Sequence, residues 1–292
     1  MKLLQGLFAK PDAGMEAWQQ QVIRSLRESG LCSPTGDPLP AFPPEALQRN
    51  TTGLDGEAGV RQAFHFYRDI HRALADGRAV LGTGAKVLDF GVGWGRVARL
   101  FLRDVHLDGI YGIDVDPAFI DISAAAFGGG HFSVCEPFPP TAFATASFDL
   151  VSAYSVFSHL SEDAFNRWLS EFARILKPGG HLAFTTRHES FLDYCAWAAT
   201  QKDLPQGYTR ALGELFPDIA AARRAYRKGS FLHATSQGVS GGGPRTEAFY
   251  GETFIPKAYV TNACRGRFDL ALASFDAARY DQACFVLRRL AA

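Results

Sequence analysis

The sequence has no excess of either charge, no paired cysteines and no long apolar run. Its 292 residues carry 30 basic and 30 acidic side chains. Nucleic-acid binders use a basic excess to neutralise phosphates, so this balance argues against a nucleic-acid partner. The five cysteines are scattered and none stands in a CxxC pair, which excludes the usual patterns of a disulfide framework or a zinc site. No other metal site is evident.

Targeting and membrane signals are missing as well. The first eight residues are too short and too interrupted for the apolar part of a secretion signal. No apolar run approaches the ~20 residues of a membrane span. We therefore expect a cytoplasmic protein with no membrane partner.

The first 78 residues predict a helical extension. Apolar residues recur at helical spacing from Met15 to Leu26 and again from Gly56 to Ala75. Five prolines between Ser33 and Pro44 predict an extended linker between these helices. We therefore assign residues 1–78 to the extension and residues 79–292 to one folded domain.

From Lys86 onwards, short apolar runs alternate with helical stretches. Such alternation is typical of βαβ units, which form a parallel sheet with helices on both faces. Five buried strands are predicted, at 86–90, 109–114, 131–134, 148–153 and 181–185. Two more runs, Phe268–Phe275 and Gln282–Arg288, are joined by a turn too short for a crossover helix, so they should pair antiparallel. The sequence predicts a doubly wound α/β fold with a seven-stranded, mainly parallel sheet and one antiparallel strand.

The stretch 187–251 is irregular and follows the fifth predicted strand. Long irregular loops at this edge of a sheet are often functional lids. Several of its aromatic and polar side chains could enclose a small molecule or, alternatively, pack the lid onto the domain: Tyr194, Trp197, Tyr208, Phe231, His233 and Tyr250. We expect a lid over the substrate.

The turn after the first predicted strand carries glycine at alternate positions, Gly91, Gly93 and Gly95. Glycine permits a tight turn and lets a ligand approach the backbone. A dinucleotide site requires G-x-G-x-x-G, whereas the third glycine here comes one residue early. Asp89 also precedes the turn, where it would repel a pyrophosphate. A sulfonium nucleoside with an amino-acid tail instead offers an ammonium group to Asp89.

A second acidic residue, Asp114, ends the second predicted strand about twenty residues after the glycines. A carboxylate at this place can bind both ribose hydroxyls of a nucleoside cofactor. Its alternative role, capping the helix that begins at Pro117, suits Asp116 better. Asp114 is therefore predicted to bind ribose.

Four motifs in order resemble those of class I S-adenosylmethionine-dependent methyltransferases. They are residues 87–96, 112–117, 148–151 and 176–180. The motifs cover roughly residues 80–187, and the terminal strand pair extends the resemblance to about residue 290. The run Ser155–Leu160 resembles a widespread bacterial subgroup that acts on uncertain substrates.

The resemblance implies S-adenosylmethionine as cofactor and S-adenosylhomocysteine as product. It also implies that the methionine part is held by Asp89, Gly91, Gly93 and Arg96. Cysteine is common in the subgroup at the position of Val92, which contributes mainly its backbone to the same turn.

The remaining implied cofactor contacts involve adenine and the methyl group. Val115 would pack on adenine. Cys135 and Glu136, at the end of the third strand, occupy a position that usually contacts adenine and where aspartate is commoner. Ser155 and Val156, just past the fourth strand, would lie beside the transferred methyl.

Methyl transfer from a sulfonium is a direct displacement that depends on alignment. An amine acceptor needs only to be neutral, whereas a hydroxyl benefits from a general base, most often histidine. His159 follows the fourth strand and His188 the fifth, so both should lie near the carboxyl edge, with Tyr154 as a third candidate. His159 could instead bond backbone at a helix start, and Tyr154 could pack above the sheet.

We predict a methyltransferase that acts on an oxygen or nitrogen of a small-molecule acceptor, of the sugar or natural-product type. The neutral charge and the predicted lid favour a small substrate. Two alternatives are a non-catalytic cofactor-binding protein of the same fold and an NAD-dependent oxidoreductase. The glycine spacing and Asp89 disfavour the second.

Overall fold

The computed structural model describes residues 13–239 and 241–291. Residues 1–12 of the predicted extension lie outside the described residues. None of the helices described is long and apolar enough to cross a membrane.

Nine α-helices and nine β-strands form within the described part of the chain. The helices are α1 (Ala13–Arg24), α2 (Glu45–Thr52), α3 (Gly56–Asp76), α4 (Pro117–Phe127), α5 (Glu162–Ile175), α6 (Phe191–Thr200), α7 (Tyr208–Glu214), α8 (Ile219–Arg227) and α9 (Lys257–Ala263). The strands are β1 (Val87–Phe90), β2 (Ile110–Asp114), β3 (His131–Val134), β4 (Phe148–Ala153), β5 (Leu176–Arg187), β6 (Leu232–Ala234), β7 (Glu252–Phe254), β8 (Phe268–Ser274) and β9 (Gln282–Arg289). Two short 3-10 helices cover Ala98–Arg103 and Leu107–Gly109.

All seven predicted strands form one mixed sheet. Strands β3, β2, β1, β4 and β5 lie side by side and parallel. Strand β9 pairs antiparallel with β5 and β8 pairs antiparallel with β9, as the short turn between them predicts. The sheet has nine strands because the short antiparallel pair β6–β7 joins it at the end of β5, through Arg187 and Phe254. The carboxyl ends of β1 to β5 meet at one edge, where α/β folds bind ligands.

Several elements differ from the sequence prediction. The helical stretch that the alternating pattern predicts after the first strand, over Arg96–Arg103, is a 3-10 helix that starts at Ala98. Helices α2 and α7 and strands β6 and β7 were not predicted. α2 buries only Gln48, so it has no apolar periodicity to detect. The Gln48 side chain donates to the Pro43 carbonyl at 2.8 Å and accepts from the Gly56 amide at 3.0 Å, which replaces an apolar anchor.

The extension packs directly onto the sheet domain. Apolar residues of α1 and α3 share one hydrophobic core with β1, β2 and the first 3-10 helix. Trp18 on α1 is 1% exposed and its Nε1 donates to the Leu100 carbonyl at 2.9 Å. Asp69 on α3 accepts from the Tyr280 hydroxyl at 2.5 Å and pairs with Arg279 at 2.9 Å, near the start of β9. The extension therefore contacts the sheet domain at two places, the first 3-10 helix and the segment before β9.

A buried arginine holds the proline-rich segment in place. Arg99 is 2% exposed and donates to the carbonyls of Pro40 and Ala41 at 3.0 and 3.4 Å. A third bond reaches the Gly95 carbonyl at 3.1 Å, and the guanidinium lies 3.8 Å from the centre of the Phe42 ring. Because this arginine sits in the helix after the glycine turn, it ties the segment before α2 to that turn.

Candidate active site

A cavity of about 870 Å³ opens at the carboxyl edge of the sheet. The loops after β1, β2, β3 and β4 form its floor, and the turn after α2 together with Gln62 of α3 forms one wall. Residues between 187 and 251 close it from above. The volume lies in the upper part of the range of small-molecule sites, so it can take a nucleoside cofactor and a small acceptor together.

All of the predicted site residues line this cavity except two. Those at the cavity are Asp89, Gly91, Val92, Gly93, Arg96, Asp114, Val115, Cys135, Tyr154, Ser155, Val156 and His159. Glu136 is not part of the lining, whereas its neighbours Cys135 and Pro137 are. His188 also lies outside, because its ring stacks on Phe275 with 3.6 Å between ring centres. The expected roles of Glu136 and His188 therefore have no support in the geometry.

The glycine turn brings backbone to the floor of the cavity. The amides of Gly91 and Val92 both donate to the Ile113 carbonyl, at 2.8 and 3.1 Å, which locks the turn against β2. Gly91 has φ +69°, and a Cβ there would come within 2.4 Å of the Val156 side chain. Gly93 has φ +52° with open space where its Cβ would stand. Glycine at these two positions therefore keeps the turn tight and the space above it free.

Asp89 lies behind this turn and supports it. The side chain accepts from the Ser152 hydroxyl at 2.7 Å and from the Ala98 amide at 3.0 Å. Complete burial raises the pKa of its carboxyl to about 7, although both hydrogen bonds favour the charged form. Asp89 therefore holds the first strand, the fourth strand and the start of the 3-10 helix together.

Asp89→Asn is expected to flatten the pH dependence of stability. A carboxyl whose pKa is about 7 in the folded protein, against an ordinary value of 3.8, binds a proton more tightly in the native state. Native stability therefore falls as pH rises from about 4 to about 7, by up to about 4 kcal/mol. Asparagine can still accept from Ala98 and donate to Ser152, without the charge. The melting temperature of the variant relative to wild type should rise between pH 5 and pH 8, and parallel curves would contradict this.

Asp114 and Asp116 divide two tasks after β2. Asp116 caps α4, since its side chain accepts from the Ala118 amide at 3.1 Å, as predicted. Asp114 accepts from the amides of Gly93 and Asp116, each at 3.0 Å, and remains at the cavity surface. Burial raises its pKa. Each carboxylate oxygen has a further lone pair, so two ribose hydroxyls could still donate to it.

Arg96 is a buried cation at the cavity wall. It is 8% exposed, donates to Gln62 Oε1 at 3.0 Å and lies 4.7 Å from the centre of the Tyr154 ring. Burial lowers its pKa, although Tyr154 and the charges of Asp89 and Asp281 oppose that shift. The remaining guanidinium donors suit an anionic group of a ligand.

A second polar cluster, on the lid side of the cavity, was not predicted. Glu252 on β7 is fully buried and accepts from Arg187 Nε at 2.8 Å and from the Tyr208 hydroxyl at 2.7 Å. Arg187 also reaches Asp281 at 2.8 Å. Burial opposes the charge of Glu252, but Arg187 and His159 outweigh it and lower its pKa to about 2. Glu252 is therefore a buried anion beside the cavity.

His159 joins this cluster to the cavity. Its ring stacks on Tyr250 with 4.6 Å between centres and an angle of 3°. Its Nδ1 lies 2.8 Å from the Gly251 carbonyl and 3.3 Å from Glu252 Oε1. Because a carbonyl can only accept, Nδ1 carries a proton, so Nε2 holds the lone pair whenever the ring is neutral. Tyr154, the other candidate at the cavity, has a pKa raised by burial to about 12, so its hydroxyl stays protonated at neutral pH.

The stretch 187–251 contributes some of its aromatic residues to the cavity and packs the others. Tyr194, Tyr208 and Tyr250 line the cavity, and Trp197 stacks on Tyr194. Phe231 packs against other aromatic rings instead. In addition, the His233 ring lies 2.8 Å from the Thr253 hydroxyl.

Residues 88–184 match the family model of a methyltransferase domain. This part of the chain is therefore a methyltransferase domain. No group of metal-binding side chains occurs among the residues described for this methyltransferase.

Two solved structures share the methyltransferase fold at low sequence identity. A Listeria monocytogenes protein assigned to S-adenosylmethionine-dependent methyltransferases is 12% identical with a TM-score of 0.51, and the match covers 77% of this chain and 98% of that one. An S-adenosylmethionine-dependent methyltransferase of Clostridium acetobutylicum is 9% identical with a TM-score of 0.50, over 79% and 92%. Among curated proteins, no sequence matches this methyltransferase significantly.

Proposed function

We propose that the protein transfers a methyl group from S-adenosylmethionine to an oxygen or nitrogen of a small-molecule acceptor, of the sugar or natural-product type. One observation carries this proposal. A single cavity joins the glycine turn and Asp114, which suit a nucleoside, to a second set of polar groups under the lid, including His159. Donor and acceptor can therefore meet inside one enclosed space.

The donor half of the cavity fits the chemistry of the cofactor. Asp114 would bind the two ribose hydroxyls, and the turn at Gly91 and Gly93 would support the methionine part. Arg96, which lacks an acidic partner among the described residues, would bind the methionine carboxylate. Asp89 would attract the ammonium group from behind the turn.

The same orientation of the cofactor would determine which residues contact its adenine and its methyl group. Val115 and Cys135 border the cavity beyond Asp114 and would contact adenine. Ser155 and Val156 stand across from Gly91, where the methyl would be transferred. Pro137 would take the place beside adenine that was expected of Glu136.

We also propose the domain division 1–78, 79–292 and, within the second, the lid 187–251. The extension would then be part of the site and not an appendage, because residues 49–54 and Gln62 line the cavity. The acceptor would bind between this wall and the lid tyrosines. Enclosure on both sides supports a small molecule over a polymer.

Calorimetric titration with S-adenosylhomocysteine tests the proposed function. Wild type should bind, and Asp114→Ala should weaken binding by about 100-fold, since two hydrogen bonds to a charged group are lost. Asp121→Ala is the matched control, because Asp121 is an exposed residue of α4. A folded wild-type protein that binds NAD but not S-adenosylhomocysteine would overturn the proposal.

A further inference from the structure

The buried carboxylate of Glu252, together with His159, bears on which kind of atom accepts the methyl group. We propose that His159 and Glu252 form a dyad that removes a proton from the acceptor, and that the acceptor is therefore a hydroxyl group. This inference rests on the proposed function, since it concerns the acceptor half of the same cavity. It depends on the protonation of His159, on the charge of Glu252 and on the position of Tyr208.

The hydrogen bonds of His159 leave one nitrogen for the acceptor. Its Nδ1 is engaged by the Gly251 carbonyl at 2.8 Å, on the side where Glu252 lies. The side chain is 12% exposed and lines the cavity. Nε2, on the opposite edge of the ring, therefore offers its lone pair to a ligand.

Glu252 supplies the charge that such a base requires. When Nε2 takes a proton, the ring becomes a cation whose Nδ1 lies 3.3 Å from Glu252 Oε1. The buried carboxylate stays ionised because Arg187 and Tyr208 also bind it. A neutral amine acceptor would have no need of this arrangement, whereas a hydroxyl gains from it.

The lid completes the dyad. Tyr208 belongs to α7, inside the stretch 187–251, and its hydroxyl donates to Glu252 at 2.7 Å while it accepts from Arg187 Nη2 at 3.0 Å. Tyr208 is 42% exposed, and both of these hydrogen bonds are made by its hydroxyl. The contact ties the position of the lid to the carboxylate that faces His159.

The chemical step balances without any further reactant. The acceptor O–H bond breaks and its proton moves to His159 Nε2. The oxygen electron pair forms the new bond to the methyl carbon, while the pair of the broken C–S bond stays on sulfur. The products are the methyl ether and S-adenosylhomocysteine, and His159 returns its proton to water.

The first test is transfer of a labelled methyl group to paired alcohols and amines that share one carbon skeleton. Transfer should occur to alcohols, and His159→Asn should reduce it by about 10²–10⁴-fold while S-adenosylhomocysteine binding persists. Glu252→Gln should reduce it less, by about 10-fold to 100-fold, because the Gly251 carbonyl still orients the ring. His131→Asn, at an exposed histidine, should have no effect. Transfer to amines alone, unchanged in His159→Asn, would overturn the inference.

The second test needs no acceptor. Nitrogen NMR of the full-length protein with labelled histidine, assigned with His159→Asn, should show His159 protonated at Nδ1 when the ring is neutral. If Glu252→Gln does not fold, Tyr208→Phe replaces it in the methyl-transfer test, since that variant keeps the pair of Glu252 with Arg187. A neutral ring protonated at Nε2 overturns the dyad even where S-adenosylhomocysteine binds. Lack of S-adenosylhomocysteine binding instead counts against the proposed function.

Discussion

Arg187→Met is expected to lower the free energy of unfolding by roughly 3–5 kcal/mol at pH 8. The substitution removes from Glu252, which is fully buried, the guanidinium that pairs with it. A hydrogen bond from Tyr208 remains, but it does not neutralise the charge. Chemical denaturation of both proteins at pH 8 measures the difference.

Two variants test whether the loss of stability comes from the unpaired buried charge or from the removal of an arginine as such. Arg223→Met removes a guanidinium that pairs with Asp193, a residue whose side chain is 70% exposed, so it should change stability by less than about 1 kcal/mol. The double variant Arg187→Met with Glu252→Gln removes both buried charges and should recover most of the loss. A double variant no more stable than Arg187→Met would refute the buried charge as the cause.

The same pair predicts a pH dependence with a definite sign. In wild type the pKa of Glu252 is lowered from 4.5 to about 2, so its stabilising contribution is present above 4.5 and is lost as pH falls towards 2. In Arg187→Met that gain is absent, and protonation removes the unpaired buried charge. The stability gap between the two proteins should therefore narrow as pH falls from 8 to 4.

Trp18→Ala is expected to cost about 3–5 kcal/mol, as for other large aromatic residues removed from a core. Trp18 is 1% exposed and donates to the Leu100 carbonyl, in the 3-10 helix that follows the glycine turn. The loss should appear as one cooperative transition at lower denaturant, because α1 and the sheet domain share a core. Unfolding followed by far-ultraviolet circular dichroism measures it.

Trp197→Ala is the matched control for this prediction. Trp197 is 47% exposed, so its removal should change stability by about 0.5 kcal/mol or less. Two separate transitions in wild type would show that the extension folds independently, contrary to the proposed arrangement. Equal losses from both tryptophan variants would contradict it as well.

The sequence predicted the elements whose own pattern determines them. The seven strands are short apolar runs between turn residues, and all of them form. Asp116 was predicted as a helix cap from its position before Pro117, and it is one. Gly91 and Gly93 were predicted to allow a tight turn with positive φ, and both adopt it. In each case the structure is determined by residues that are close together in the sequence.

The residues that the sequence missed or misplaced depend on contacts between distant parts of the chain or on a shift of one position. Glu252 lies on a three-residue strand and meets Arg187 across 65 positions of sequence, which no local pattern encodes. His188 was expected at the cavity, but it lies one residue beyond β5 and its ring stacks on Phe275, whereas its neighbour Arg187 lines the cavity. Glu136 fails similarly, between two neighbours that do line the cavity. Motif spacing alone does not decide which of two neighbouring residues faces the cavity.

The bonds of Arg99 to main-chain carbonyls affect how a mutational scan of this protein will read. Because the guanidinium binds the backbone and Ala41 is exposed, side-chain changes at Ala41 should be tolerated, whereas Arg99 itself should accept none. The anchored segment leads into α2, and the turn after α2 forms a wall of the cavity. Substitutions of Arg99 are therefore expected to weaken ligand binding. Arg99 does not line the cavity, so this effect would come from a change in the shape of the cavity wall.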